Sequence, residues 1–268
     1  MENKGIEEIV GNPDAPYENS LIGRGRSFDN YFGVTHPSLP NYLSFAAGSP
    51  CGKTGTDDVT APDPTVTSAC DSTLWGQLTA ANVTWGIYEE GMPGVCSDAE
   101  TFQDQMLSHG PYALKHNPGT PFGSIHDSSQ CQNVQPFSAF DPASLRQVSF
   151  IAPNMCNDQH GSRGGQWADC TPKSAGLYKR GDDWLRAHVP QMLTQGATVF
   201  ITYDEDGDEG INGTTGGGRL YAVEVGPGIE PGSHDATQYN HYSLLGGIED
   251  AFSLPHLRGA KDVPAVRL

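Results

Sequence analysis

Apolar and polar residues alternate along the chain with two periods, one typical of strands and one typical of helices. Leu39, Tyr42, Leu43 and Ala46 recur at helical spacing before Gly48, and this pattern predicts a helix that ends at the glycine. Such patterns predict helices over 40–47, 74–82, 182–195 and 243–252, and strands over 27–34, 83–88, 147–152, 198–203 and 219–225. Because strands and helices alternate, we expect an α/β protein, an α/β/α sandwich with a mostly parallel central sheet.

The composition contains no linker-like change along the 268 residues, so we expect one domain over 1–268. Residues 91–142 are rich in Gly, Pro, Asn and Ser and predict a loop-rich, disulfide-tied insertion over one face.

Six cysteines are spread through the chain without the spacing of a zinc site. An even number in loops favours disulfides and therefore an exported protein. Proximity in sequence favours the pairs Cys51–Cys70, Cys96–Cys131 and Cys156–Cys170 over the other connectivities. No signal peptide or membrane-spanning segment is visible, so either a signal peptide has been removed or the protein is not exported. Of the two, we expect a secreted or periplasmic protein whose signal peptide is absent from this chain.

The charge balance is strongly acidic, with 15 Lys and Arg against 32 Asp and Glu, a formal charge of −17 and a pI near 4.7. This balance argues against nucleic acid and anionic membranes as partners, because binding to them needs a basic surface. If the substrate is a phosphate, the positive charge it needs is most simply supplied by a bound metal cation.

An acidic run, Asp204, Glu205, Asp206, Asp208 and Glu209, follows directly after the apolar strand at 199–203. One interpretation is a solvated loop. The other is a metal site at the carboxyl end of a strand, where open α/β folds place their ligands.

Five other residues have candidate chemistry, and each also has an ordinary structural interpretation. Ser38 precedes a helical turn, so it is either a nucleophile facing a phosphate or a plain N-cap. Asp158 and His160 are either metal ligands or partners in a turn, His241 either acts at the mouth of the last helix or packs there, and His116 is either a phosphate contact or ordinary loop polarity.

Taken in order, these segments resemble the phosphoesterase family of the alkaline phosphatase superfamily, which includes bacterial acid phosphatases, phosphatidylinositol 3-phosphatases and phospholipases C. The resemblance spans Glu2 to about Phe252. It rests on the segments 1–3 (MEN), 35–43 (THPSLPNYL), 115–118 (KHNP), 150–160 (FIAPNMCNDQH), 181–185 (GDDWL), 202–207 (TYDEDG) and 241–245 (HYSLL). It implies an alkaline phosphatase-like fold and hydrolysis of phosphate esters.

The resemblance also implies roles for individual residues. A metal would be held by Glu2, Asn3, Ser38, Asp204 and Glu205, with Ser38 as the nucleophile. These oxygen donors suit magnesium, calcium or manganese better than zinc. Asp206, Asp208 and Glu209 would be solvated or would serve a separate cation.

Further residues would contact the substrate or act in catalysis. His116, Asn41 and Asp158 would bind the substrate, and His160 and His241 would be catalytic. Asp158, His160 and His241 would surround the phosphate either as a second metal site or as proton donors. Asp182 would anchor its helix near the site or act as a ligand.

Two features depart from the family pattern. Relatives carry an apolar strand ahead of the Glu-Asn pair, whereas this chain begins at Met1, so we expect Glu2 and Asn3 to lie on a free terminus without that strand. Relatives also tend to have His after the pair, where this chain has Lys4.

The function expected from the resemblance is a metal-dependent phosphomonoesterase, of acid phosphatase or phosphatidylinositol 3-phosphatase type, that forms a phosphoserine. Its partner would be a small phosphorylated substrate or a phosphoinositide headgroup, without nucleic acid and without stable membrane insertion. One alternative is a phospholipase C-type phosphodiesterase. Another is a secreted calcium-binding module in which the acidic run is only structural.

Overall fold

The computed structural model describes residues 1–99, 111–162, 170–207 and 216–268, and within them two β-sheets. The strands are β1 Arg26–Phe32, β2 Trp85–Glu89, β3 Val134–Pro136, β4 Val148–Ala152, β5 Val199–Thr202, β6 Arg219–Leu220, β7 Ala222–Val225 and β8 Ser233–Asn240. The larger sheet has the order β5-β7-β1-β6, and β8 also pairs with β1, Arg26 lying opposite Ser233. The smaller sheet has the order β3-β2-β4.

The direction of the strands corrects the prediction of a mostly parallel sheet. The small sheet is parallel throughout. In the large sheet β1 runs parallel to β8 but antiparallel to β6 and β7, and β5 is antiparallel to β7. Between β5 and β7 the described chain contains no helix, and a connection without a crossover returns the chain in the opposite direction.

The helices form two groups, as expected for an α/β/α sandwich. They are α1 Ile6–Ile9, α2 Pro16–Ile22, α3 Ser38–Ala47, α4 Pro64–Ala69, α5 Leu74–Ala80, α6 Gly123–His126, α7 Ala175–Thr194 and α8 His241–Ala251. Helix α3 contacts α5 and α8, whereas α2 contacts α7. Helices α5 and α8 also contact β2 and β8, and α2 and α7 contact β7 and β5.

The predicted elements exist, and some of their ends differ from the predicted ones. Helix α3 ends at Gly48, which has φ +68°, as the pattern predicted. Helix α7 begins seven residues before the predicted start because the Ser174 side chain accepts from the backbone N–H of Leu177. Two strands were not predicted, β3 inside the loop-rich insertion and β8, whose residues are largely polar and exposed.

All three predicted disulfides are present, Cys51–Cys70, Cys96–Cys131 and Cys156–Cys170, and no cysteine is free. They fit the expectation of an oxidising compartment. In the described part of the chain, no helix is long and apolar enough to cross a membrane.

A cavity of about 690 Å³ lies between β4 and β5. Phe150 and Val199 line it from these strands, and Met1 lies at its border. In the described chain β4 pairs only with β2, and β5 only with β7, so the backbone edges facing the cavity carry no strand partner. The predicted burial of the strand at 198–203 is therefore incomplete, with Val199 and Phe200 only half-buried.

Candidate active site

Ser38 lies at the first position of α3 with its hydroxyl between two carboxylates. Its Oγ is 3.2 Å from Glu2 Oε2 and 3.2 Å from Glu205 Oε1, and the side chain is buried. Ser38 is not the N-cap, because Pro37 occupies that position. The hydroxyl is thus directed at acidic side chains from two distant parts of the sequence.

The segment Met1–Asn3 is fixed in place, which corrects the expectation of a free terminus. The backbone N–H of Glu2 donates to Asp158 O (2.7 Å), the amino group of Met1 to Thr202 O (3.2 Å), and the N–H of Asp204 to Met1 O (3.2 Å). Glu2 is completely buried. Lys4 is also buried, and its Nζ donates to Asn3 O and to the carbonyl oxygen of Gln159.

Asn3 and Asp204 complete the predicted ligand set. The backbone N–H of Asn3 donates to Asp204 Oδ1 at 3.1 Å. Two buried oxygen atoms, Asn3 Oδ1 and Asp204 Oδ2, have no hydrogen-bond partner among the described residues. The structure therefore places Asn3 against Asp204 and places Ser38 between Glu2 and Glu205, and the binding of a metal by these five residues stays a prediction.

The electrostatics of this group suit a cation. Burial, followed by repulsion from Asp204 and Asp158, raises the pKa of Glu2 well above its ordinary value. Burial raises the pKa of Glu205 to about 7, although its hydrogen bond with His36 opposes the shift. Buried carboxylates without a compensating positive charge are costly, and oxygen atoms without partners are natural ligands for a hard divalent cation. The residues present fit such a metal.

A second group of possible ligands, Glu2, His116 and Asp158, adjoins the first. His116 Nε2 lies 3.3 Å from Glu2 Oε2, and its Nδ1 lies 3.4 Å from Asp158 Oδ2. Burial lowers the pKa of His116 and raises that of Asp158. The ring of His116 stacks on Tyr42, whose hydroxyl donates to Glu2 Oε1. His116 thus lies between Glu2 and Asp158, and its predicted contact with the phosphate stays a prediction.

The two predicted catalytic histidines differ in their surroundings. His160 is partly exposed, and its Nδ1–H donates to Gly161 O at 2.7 Å. Its Nε2 hydrogen-bonds to none of the described residues. His241 is buried and uses both nitrogens, since Nε2–H donates to Asp204 O (2.6 Å) and Nδ1 accepts from Tyr31 OH (3.2 Å). His241 thus holds the backbone of Asp204, and the catalytic roles of His160 and His241 stay predictions.

Comparisons with known proteins identify the family of this chain. The model of the phosphoesterase family matches residues 10–255. The chain belongs to the phosphoesterase family. It is 30% identical to a phosphatidylinositol-3-phosphatase of Mycobacterium tuberculosis, over 99% of this chain and 79% of that protein. It is 26% identical to an acid phosphatase of Aspergillus fumigatus, over 96% of this chain and 54% of that protein.

The fold is that of the alkaline phosphatase superfamily. A solved structure of a protein in this superfamily from Vibrio parahaemolyticus superimposes with a TM-score of 0.56 at 12% identity, covering 99% of this chain and 69% of that one. With the family relatives, this makes the chain a hydrolase of phosphate esters.

Two predicted residues of this phosphoesterase have hydrogen bonds that indicate structural roles. Asn41 Oδ1 accepts from the backbone N–H of Val34 and Thr35, and its Nδ2 donates to Thr35 O and Pro37 O. Asn41 therefore fixes the loop before Ser38, and its contact with the substrate stays a prediction. Asp182 Oδ1 accepts a hydrogen bond from the backbone N–H of Glu18 in α2 at 2.9 Å, as expected if Asp182 anchors its helix.

His36 was not predicted as a site residue. Its Nδ1 is 2.6 Å from Glu205 Oε2, and its Nε2 is 3.5 Å from Asp206 Oδ1. Asp206 is buried, which corrects its interpretation as a solvated residue, and the alternative that it serves a separate cation stays a prediction. A Cβ on Gly218, which has φ +77°, would lie 1.9 Å from Asp206 Oδ2, so the close approach requires glycine. Asp208 and Glu209 lie outside the described residues.

An ion pair beside Ser38 was also not predicted. The backbone N–H of Leu39 donates to Asp57 Oδ1 at 2.9 Å, and Lys115 Nζ donates to Asp57 Oδ2 at 2.6 Å. Burial alone would lower the pKa of Lys115, but Asp57 and Glu2 outweigh it and raise the pKa. The carboxylate of Asp57 thus accepts a hydrogen bond from the backbone N–H of the residue that follows Ser38, the candidate nucleophile. The one signal in the sequence for this ion pair is that Lys115 directly precedes His116, a predicted site residue.

Proposed function

We propose that this phosphoesterase is a metal-dependent phosphomonoesterase that transfers the phosphoryl group first to Ser38 and then to water. The observation that carries the proposal is the position of the Ser38 hydroxyl, 3.2 Å from carboxylate oxygens of both Glu2 and Glu205 at the start of α3. A buried hydroxyl hydrogen-bonded to acidic groups has an acceptor for its proton.

Glu2, Asn3, Ser38, Asp204 and Glu205 would hold the divalent metal, and magnesium, calcium or manganese suits these oxygen donors better than zinc. Bound there, the cation would lower the pKa of the Ser38 hydroxyl and offset negative charge on the phosphate oxygens. The unpartnered oxygens of Asn3 and Asp204 support this assignment.

The chain's own residues then divide the reaction into two steps. Ser38 Oγ attacks phosphorus while its proton moves to the carboxylate that accepts its hydrogen bond, and the bond from phosphorus to the alcohol oxygen breaks. Burial and the nearby Lys115 lower the pKa of His160, and the negative charge of a bound phosphate would favour its protonated form. In that form His160 gives the leaving alcohol a proton from Nε2. Neutral His160 then accepts a proton from the water that attacks the phosphoserine, and the proton held by the carboxylate returns to Ser38.

The test is hydrolysis of p-nitrophenyl phosphate and of bis-p-nitrophenyl phosphate by the parent and by Ser38→Ala, with EDTA and after addition of each metal. We expect cleavage of the monoester that EDTA abolishes, that magnesium, calcium or manganese restores, and that Ser38→Ala lacks. The matched control is Ser44→Ala, because Ser44 is a buried serine on the same helix whose Oγ donates to Tyr242 OH, away from the carboxylates. Full activity of Ser38→Ala would refute the mechanism.

The covalent intermediate has its own test. In His160→Gln the second step is slowed, and acid quenching should trap one phosphoryl group on the peptide that contains Ser38, detected by mass spectrometry. No phosphopeptide in a variant that still releases p-nitrophenol would contradict the phosphoserine.

The substrate class is part of the proposal. The similarity to a phosphatidylinositol-3-phosphatase supports a phosphoinositide headgroup as one substrate, to be compared with nucleotide and sugar monophosphates. A preference for the bis-ester would favour the phospholipase C-type alternative. Calcium binding without turnover, unaffected by Ser38→Ala, would favour the binding module.

A further inference from the structure

A buried hydrogen-bond network lies behind the segment that carries Asp158 and His160. Between these two residues stands Gln159, which is completely buried and has φ +76°. A residue other than glycine adopts this backbone conformation only when its surroundings hold it there. The network therefore determines how the residues on either side of Gln159 are directed.

Glu18 of α2 is the centre of the network. Gln159 Nε2 donates to Glu18 Oε2 at 2.9 Å, and Tyr203 OH donates to Glu18 Oε1 at 2.5 Å. Tyr203 OH also lies 3.0 Å from Gln159 Oε1. Glu18 is completely buried, so these contacts are not shared with solvent.

The two partners of Glu18 each adjoin a part of the candidate active site. Gln159 is next to Asp158 and His160, and Tyr203 immediately precedes Asp204. Glu18 itself is anchored, because its backbone N–H donates to Asp182 Oδ1. One side chain thus joins the segment after β4 to the segment after β5.

Gly181 of α7 provides the space for Gln159. A Cβ at this position would lie 2.4 Å from Gln159 Cγ and 2.5 Å from Gln159 Nε2. Alanine is a better helix former than glycine, so helix formation does not require glycine here. The requirement comes from the side chain of Gln159.

We propose that Glu18 is a positioning residue that holds Asp158 and His160 in the active site through Gln159. Gly181 leaves the space that the side chain of Gln159 occupies. The proposal rests on the proposed function for the roles of Asp158 and His160. Displacements of about 1 Å in such groups can lower a rate by roughly two orders of magnitude.

Three variants separate positioning from charge and from folding. Glu18→Ala removes the contacts, Gly181→Ala displaces Gln159 without touching Glu18, and Glu18→Gln keeps a side chain of the same shape. The amide of this last variant can accept from Gln159 Nε2 and donate to Tyr203 OH, which then donates to Gln159 Oε1. The control is Gly76→Ala in α5, where the nearest atom to the new Cβ is 3.5 Å away.

Hydrolysis of p-nitrophenyl phosphate is measured first. We expect kcat to fall by about tenfold or more in Glu18→Ala and Gly181→Ala with KM within about threefold of the parent, and Glu18→Gln and Gly76→Ala to match the parent. The proposal is overturned if Glu18→Ala and Gly181→Ala retain the kcat of the parent. It is also overturned if Glu18→Gln is as impaired as Glu18→Ala, or if Gly76→Ala is as impaired as Gly181→Ala.

A second readout does not depend on turnover. The ring resonances of His160, assigned by their loss in His160→Gln, are recorded in proton–carbon NMR spectra of each folded variant. We expect them to shift in Gly181→Ala and not in Glu18→Gln or Gly76→Ala. If the parent is inactive, the proposed function fails, and this spectrum alone decides on the positioning role: unchanged His160 resonances in Gly181→Ala would overturn it.

Discussion

The carboxyl group of Glu18 makes the stability of the folded protein depend on pH. Burial raises its pKa from 4.5 to about 7, while the hydrogen bonds from Tyr203 and Gln159 oppose the shift. Between these two values the folded state binds a proton that the unfolded chain has released. The contribution of Glu18 to the free energy of unfolding is therefore fully present below about pH 4.5 and is lost as the pH rises through about 7.

The size of the effect follows from the difference of about 2.5 pKa units. At about 1.4 kcal/mol per unit, this corresponds to about 3 kcal/mol of unfolding free energy. No correction for solvent screening applies, because the side chain of Glu18 is completely buried. The protonated form also completes the network: Glu18 can donate to Tyr203 OH, which is then free to donate to Gln159 Oε1.

Glu18→Gln has the shape of the protonated form and no proton to lose. We expect its unfolding free energy, minus that of the parent, to rise by about 3 kcal/mol between pH 4.5 and pH 8. The assay is urea unfolding at four pH values, followed by tryptophan fluorescence with the disulfides oxidised. Contributions from other titrating groups are common to both proteins and cancel in the difference.

Glu230→Gln is the control, because Glu230 is exposed. Its difference from the parent should stay constant with pH. If the difference between Glu18→Gln and the parent also stays constant, or falls as the pH rises, then Glu18 is not a buried carboxyl that holds its proton near neutral pH, and the argument is refuted.

Three further outcomes are expected. Asp57→Ala should lower the inhibition constant of inorganic phosphate severalfold in steady-state kinetics, because it frees Lys115 Nζ and the N–H of Leu39 for an anion. Glu2→Gln should weaken manganese binding by about tenfold or more in calorimetry, since it removes a charged oxygen from the ligand set. Five apolar residues added ahead of Met1 should raise the melting temperature and slow amide exchange in β4 and β5, because they can pair with both open edges of the cavity.

Each outcome has a control and a contradicting result. Asp58→Ala removes an exposed neighbouring acid and should leave phosphate inhibition unchanged, and an equal effect in both variants would contradict the assignment of Asp57. Glu7→Gln, with its side chain 70% exposed, should bind manganese like the parent. An extension of five Gly and Ser residues ahead of Met1 should not raise the melting temperature. If it raises the melting temperature as much as the apolar extension does, strand pairing is not the cause.

The fold could be predicted from the sequence where the signals are local. Helix α3 and its end at Gly48 follow from apolar spacing and from the ability of glycine to adopt positive φ. Strand β8 could not be predicted, because its largely polar and exposed residues lack an apolar pattern and it is defined by pairing with β1. The antiparallel pairs of the large sheet were missed for a similar reason, since strand direction depends on how the chain returns.

The residues of the candidate active site also divide into those that the sequence could identify and those that it could not. Ser38 and Asp204 could be identified as candidates from residue types, because one is a hydroxyl before a helix and the other an acid after a strand, whereas Glu2 was implied only by the resemblance to the family. His36 and Asp57 carried no comparable signal, and their contacts with Glu205 and with Leu39 arise between residues far apart in the chain.

The sequence by itself determined the residue types, their order along the chain, the helices with local stop signals and the pairing of neighbouring cysteines. These properties depend on interactions over a few residues or on loop length. Only the tertiary structure decided that Met1–Asn3 is fixed between the segments after β4 and β5, and that Glu18 supports Gln159 from 141 residues away. Such contacts depend on three-dimensional packing, which no local pattern of apolar and polar residues specifies.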